Sequence, residues 1–307
     1  VIIMNYDDFK HVLDDTLFTD AKVTLLKNLK KHPSRYVGIF RASTPKGKLI
    51  QNFTQSLEIK YGDALESAFR EMFSDYGLEK LPQDYKNPIN GKDLNVDQVF
   101  KYGNKVIFIE QKIRDDHDST KKSGQFTNFK DKYNVLKNYY RGYKIIGSMW
   151  FIDDSLVKNK KYYITELEKL EKSDDEFCLA YGGEIFKFLA NELDINELPD
   201  MWYKICKYLE LWKKDIPDLP ELNFDKDPEE TMRAFITIIE EESLSFLNKL
   251  FENDKVVDYI FPIIFPEKKS LLLLKQFINA QIEENDFNNR KMKNYKKINE
   301  NLKKIIK

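Results

Sequence analysis

LNVDQVFKYGNKVIFIEQK, residues 94–112, reads as a β-hairpin. Two runs rich in Val, Ile and Phe flank a short Tyr-Gly-Asn break. With Gly103 and Asn104 as a two-residue turn, counting outward along both strands brings Asp97 opposite Glu110, their Cβ atoms about 5 Å apart. Lys112 lies two residues beyond Glu110 and therefore points to the same side. Facing carboxylates repel unless something positive stands between them. A divalent cation and a neighbouring lysine both meet that need, so the hairpin is a candidate active site.

The Glu-x-Lys triplet alone carries little weight, because Glu58–Lys60 and Glu267–Lys269 repeat it in a chain with 33% charged residues. Context separates Glu110–Lys112 from the other two. Val106 to Ile109 are apolar on both faces, as in a central strand, and charges at the end of a buried strand need a reason. The plainer reading is a surface hairpin in which Lys112 bridges one carboxylate for about 0.2–1 kcal/mol.

Working outward, residues 6–31 and 62–76 show helical spacing, and a basic loop with Pro45 and Gly47 leads into the second stretch. After the hairpin comes a polar link, IRDDHDSTKKSGQ. A helix pattern near 125–140 follows (Phe126, Phe129, Tyr133, Leu136), and then KIIGSMWFI at 144–152, a buried strand. The order helix, strand, strand, helix, strand lets the last strand pair in parallel through the intervening helix. The expected fold class is therefore α/β, a mixed sheet of the α+β kind flanked by helices. Beyond about residue 160 the pattern is almost wholly helical. The expected division is a catalytic core over 1–160, with a basic N-terminal segment, and a helical region over 161–307.

Composition narrows the function classes. A hydrophobic fraction of 42% suits a packed globular chain. Cys178 and Cys206 sit in apolar surroundings, and His11, His32 and His117 have no ligand spacing, so neither a disulfide nor a zinc site is expected. No stretch has the length and apolarity of a membrane span, and no export signal is read, so a cytoplasmic location is expected. The net charge of −1 hides asymmetry. Residues 21–57 are basic without an acid, residues 290–307 are basic, and residues 192–242 are rich in acids. Two basic segments on a neutral chain suit a polyanion, although solvated helical faces account for them equally.

Asp97 and Glu110 offer hard oxygens to Mg²⁺ while leaving positions for water and a phosphate. Lys112 is placed to orient or help deprotonate the attacking water, or to neutralise the phosphate. The chemistry read from this set is hydrolysis of a phosphodiester. An acid, a spacer and then Glu-x-Lys on an apolar strand resembles the PD-(D/E)xK nuclease superfamily, with Val96 where the family often has proline. Residues 40–150, with FRASTPKGKLIQNFTQSLEIKYGDALE and IEQKIRDDHDSTKKSGQFTNF, resemble the type II restriction endonucleases more narrowly.

The resemblance implies a restriction-endonuclease-like core and an acid on the preceding helix, Glu66, with Glu71 as the alternative. It further implies DNA contacts from Arg41, Lys46, Lys48, Arg114, Lys121, Lys122 and Gln125, each of which reads equally as an ordinary polar side chain. Asp115, Asp116, His117 and Asp118 read as a solvated or capping loop in preference to a metal site. The expectation is a Mg²⁺-dependent, sequence-specific endonuclease that cuts double-stranded DNA, as a homodimer, with the helical half supplying base readout or dimerisation. The alternatives are a repair or structure-specific nuclease of the same superfamily, and a non-catalytic nucleic-acid-binding module.

Overall fold

A computed structural model describes residues 3–115, 118–170, 174–217, 219–284 and 289–307. The strands are β1 (Glu79–Lys80), β2 (Asp84–Lys86), β3 (Asp93–Asn95), β4 (Gln98–Tyr102), β5 (Lys105–Lys112), β6 (Lys144–Phe151) and β7 (Glu176–Tyr181). The helices before β7 are α1 (Tyr6–Phe18), α2 (Ala21–Lys31), α3 (Pro45–Asp75), α4 (Ser119–Tyr139) and α5 (Lys160–Glu168). After it come α6 (Glu184–Leu193), α7 (Leu198–Asp215), α8 (Pro228–Glu241), α9 (Leu244–Phe251), α10 (Asp254–Tyr259), α11 (Phe261–Ile264), α12 (Lys269–Glu284) and α13 (Asn289–Ile306).

The hairpin closes through Gly103, whose φ of +57° is the left-handed region that a two-residue hairpin turn requires. Tyr102 pairs with Lys105 and Gln98 with Ile109, so Asp97, one residue ahead of β4, falls opposite Glu110. The first strand is shorter than the sequence implies. Leu94 belongs to β3 and pairs with Tyr85 of β2 in a separate two-stranded ribbon, and the Val96 amide donates to the Gln83 carbonyl at 2.9 Å.

The main sheet has the order β1-β4-β5-β6-β7. β4 and β5 are antiparallel, whereas β5, β6 and β7 are mutually parallel, with α4 crossing from β5 to β6. Central placement leaves β5 and β6 buried on both faces, which is why their sequences do not alternate. One face carries Val106, Phe108, Ile145, Met149 and Phe151, packed with Phe126, Phe129 and Leu136 of α4 and Tyr163 of α5. On the other, Phe73 of α3 meets Phe100 and Phe186, and Phe69 meets Trp150. Phe108 lies so close over Gly147 that a Cβ there would stand 2.5 Å from its ring, so β6 needs a glycine at this point.

Two elements differ from the sequence reading. β7 lies where only helix was expected, because EFCLAY is a short apolar run whose strand character comes from its parallel neighbour β6. Helix α3 begins at Pro45 and absorbs the expected basic loop. Pro45 is pre-set for a first helical turn, and Thr44 Oγ1 accepts from the Gly47 amide at 3.2 Å.

The chain forms two compact units, Val1–Leu13 with Tyr61–Ile216, and Asp14–Lys60 with Pro217–Lys307. This partition differs from the 1–160 and 161–307 division. β7, α6 and α7 pack with the sheet, while α2 shares a core with the C-terminal helices. Among the described residues the second unit is helical apart from loops. Its core joins Leu26 and Leu29 of α2 to Phe235, Leu247, Leu274, Ile298 and Leu302.

Charge asymmetry is partly cancelled inside this second unit. Lys22 pairs with Glu230 at 2.5 Å, Lys27 with Glu241 at 2.7 Å, and Lys31 with Glu242 at 3.4 Å. Three of the four lysines of α2 are thus matched by acids of α8 and its C-cap.

Candidate active site

β5 carries Glu110 and Lys112 on the face covered by α4, and the turn into β4 delivers Asp97 to the same face. Asp97 is fixed by its own strand pair, because its Oδ2 accepts from the Gln111 amide at 2.8 Å. Lys112 Nζ lies 2.8 Å from Glu110 Oε1 and 3.2 Å from Asp97 Oδ2. A second ammonium closes the group. Lys132 of α4 pairs with Glu110 Oε2 and stands 3.5 Å from Asp97 Oδ1. Each lysine therefore touches both carboxylates, and the four charges cancel.

Lys132 was not singled out from the sequence, although a signal existed. It sits between Phe129 and Leu136 on the buried stripe of α4, where a lysine is only 4% exposed. A buried lysine requires a paired carboxylate. Glu110, 2% exposed, is that partner.

Burial opposes the charged form of Lys112, but the Glu110 and Asp97 carboxylates outweigh it and raise the ammonium above the ordinary lysine range. Lys112 is accordingly a cation in this arrangement.

Glu66 of α3 approaches Asp97 from the other face of the sheet. Gln83 Nε2 donates both to Glu66 Oε1 at 2.7 Å and to the Asp97 carbonyl at 2.6 Å, and Gln98 Nε2 donates to the Glu66 carbonyl at 2.7 Å. Burial, and then the Asp97 charge, push Glu66 up from 4.5 to about 7 against the opposing Gln83 bond. Glu71 instead forms an ion pair with Lys80 at 2.5 Å.

The Glu66 shift has a definite sign. The folded chain retains a proton that the unfolded chain releases near pH 4.5, so stability falls as pH rises from about 4.5 to about 7. Glu66→Gln is expected to flatten that window. Relative to wild type it should gain roughly 1 kcal/mol between pH 4 and pH 8, less than the full shift because the half-buried group is partly screened. Urea denaturation in EDTA at both pH values reads the effect, and parallel pH dependences would remove Glu66 from the cluster.

The remaining expected DNA contacts are dispersed. Arg41, Lys46 and Lys48 belong to the second unit, with Lys48 Nζ held by Gln51 at 2.8 Å. Arg114 and Lys121 are exposed, just beyond β5 and at the start of α4. Lys122 stacks over Tyr162 at 4.8 Å, and Gln125 accepts from the Tyr163 hydroxyl at 2.7 Å, which gives that amide a structural partner. Asp115 is fully buried and accepts from Asn159 and the Tyr181 hydroxyl, while Asp118 caps α4 through the Lys121 amide. Asp116 and His117 lie outside the described residues.

Among the described residues no three His, Cys, Asp or Glu side chains form a metal-holding group. Asp97 and Glu110 nevertheless fit a hard dication, which commonly takes one or two carboxylates and completes its shell with water and substrate phosphate. Lys132 shows that a cation is accommodated between them.

The model of the family "Type II restriction endonuclease, HinfI" matches residues 76–206. The chain carries a type II restriction endonuclease domain of the PD-(D/E)xK type. The matched span contains Asp97, Glu110, Lys112 and Lys132, but ends short of Glu66 and of the second unit. This endonuclease domain makes the chain a site-specific deoxyribonuclease, an enzyme acting on double-stranded DNA in a family that generally uses a divalent metal. No helix among the described residues is long and apolar enough to cross a membrane. Searches of curated proteins and of solved structures give no match.

Proposed function

We propose that the enzyme hydrolyses phosphodiester bonds in double-stranded DNA with Mg²⁺, using Asp97 and Glu110 as metal ligands, Lys112 as the cation at the scissile phosphate, and Glu66 as an auxiliary carboxylate. The observation that supports this most is the facing of Asp97 and Glu110 beside Lys112, at the end of a buried strand inside the matched domain. A bound dication would supply a water of lowered pKa and positive charge for the phosphate. The protein's own contribution is placement. The β4–β5 register and the Gln111 amide hold the Asp97 carboxylate, and the α4 lysine holds that of Glu110. Lys112, beside both carboxylates, is placed to give charge and hydrogen bonds to the phosphate oxygens and to orient the attacking water.

Cutting both strands takes two active sites or two events, and a homodimer is the simpler working assembly. Arg114, Lys121 and Lys122 flank the catalytic strand as contacts for the DNA backbone, and the second unit supplies further DNA contacts through Arg41, Lys46 and Lys48. Gln125 acts through Tyr163 in supporting the start of α4. A restriction role places the enzyme in the cytoplasm, where incoming DNA is met.

Incubation with long plasmid DNA and Mg²⁺ is expected to yield discrete bands with a common end sequence, and none with EDTA. Smears that depend on ends or branches would indicate a structure-specific nuclease instead. Salt-sensitive binding without turnover would overturn the catalytic reading.

A further inference from the structure

In the second unit, the loop between α2 and α3 holds two large apolar side chains almost wholly in solvent. Ile39 is 91% exposed and Phe40 is 95% exposed. Their exposure is not slack in the backbone. Tyr36, 2% exposed, and Val37 anchor the loop in the helical core. The Arg41 amide then closes a turn on the Gly38 carbonyl at 3.2 Å, and the Arg41 guanidinium reaches back to the Ser34 carbonyl at 3.2 Å. The chain thus builds a braced tip that displays Ile39 and Phe40, at a cost that hydrophobic burial elsewhere would ordinarily oppose.

Charge around the tip names the partner. Lys22, Lys27 and Lys31 are paired with Glu230, Glu241 and Glu242, Lys30 lies over the Phe246 ring, and the other cations of this basic segment fall on the loop and the start of α3. Arg35, Arg41, Lys46 and Lys48 flank the two apolar residues, and residues 33–57 contain no acid. An anionic membrane surface would take the same combination, but the endonuclease domain on this chain makes duplex DNA the polyanion it meets. Cations grip phosphates, and an apolar side chain enters between adjacent base pairs and stacks.

We propose that Ile39 and Phe40 form a wedge that inserts into duplex DNA, gripped on either side by Arg35, Arg41, Lys46 and Lys48. This rests on the DNA-cutting reading for its partner, but not on the catalytic assignments. The wedge reads the ease with which a base step opens, a property of sequence that needs no hydrogen bonds to base edges.

Two variants test it in the full chain. Ile39→Ser with Phe40→Ser removes the wedge without touching charge or core, so the melting temperature should hold. The KM for plasmid cleavage should rise about tenfold at unchanged kcat, about 1.4 kcal/mol of stacking. Phe40→Trp places a reporter at the tip. Its fluorescence, corrected for the wild-type signal, should be quenched by sonicated plasmid DNA in EDTA and shielded from acrylamide. An unchanged KM together with no DNA-dependent quenching would overturn the wedge. So would a change that follows protein concentration without DNA, which would mean that a second copy of the chain covers the tip. Quenching by DNA in a protein that cuts no plasmid would leave the wedge standing and remove the nuclease site.

Discussion

Lys112→Ala is expected to lower plasmid cleavage by on the order of 10³-fold, the scale lost when one preorganised charge is taken from a developing anion. Asp97→Asn should do at least as much, because it takes the charge from a proposed metal ligand while leaving an amide oxygen to accept from the Gln111 amide. Both variants should still bind plasmid DNA in a gel-shift measurement, since neither residue lies on the basic loop of the second unit. Lys112 is 28% exposed at its side chain and Lys132 still pairs with Glu110 after truncation, so the variant should fold, at a lower urea midpoint than wild type. Cleavage within tenfold of wild type by either folded variant would mean that the hairpin is a structural ion-pair site and that the cutting centre lies elsewhere.

Lys132→Met is expected to have the largest effect on stability. It strips one ammonium from buried Glu110 and part-buried Asp97, and leaves Glu110 with Lys112 alone. Breaking a buried pair from one side costs about 3–5 kcal/mol, because the remaining charge is desolvated without compensation. Urea denaturation in EDTA should show that loss. Adding Mg²⁺ should then raise the midpoint of the variant more than that of wild type, since the dication supplies the missing positive charge. A midpoint close to wild type in EDTA would show that water already reaches Glu110 and that Lys132 contributes little to holding the site.

What the sequence made legible was local. The Gly103–Asn104 turn fixed the register that opposes Asp97 and Glu110, and strand alternation fixed the side on which Lys112 lies. The parallel pairing of β5 and β6 followed from the helix between them. Features set by distant partners were less visible. β7 is a strand because β6 offers it hydrogen bonds, not because EFCLAY carries a strong signature. Lys132 joins the site only once α4 is laid on the sheet, and the basic face of α2 loses its surplus only once α8 is folded against it. The boundary near residue 160 was drawn from a change in pattern, while packing draws it from contacts and assigns 14–60 and 217–307 to one unit.

That discontinuous unit has a consequence for how the enzyme is made. Leu26 and Leu29 are made before the sheet, but the core that receives them is completed by Ile298 and Leu302, which are made after it. The sheet with the candidate site needs nothing later than residue 216, and so is able to close first. During that interval the nascent chain has Asp97, Glu110, Lys112 and Lys132 together while the helical unit still lacks the part of its core that lies beyond residue 216. Order of synthesis thus separates the assembly of the two units in time, a form of timing that requires no inhibitor.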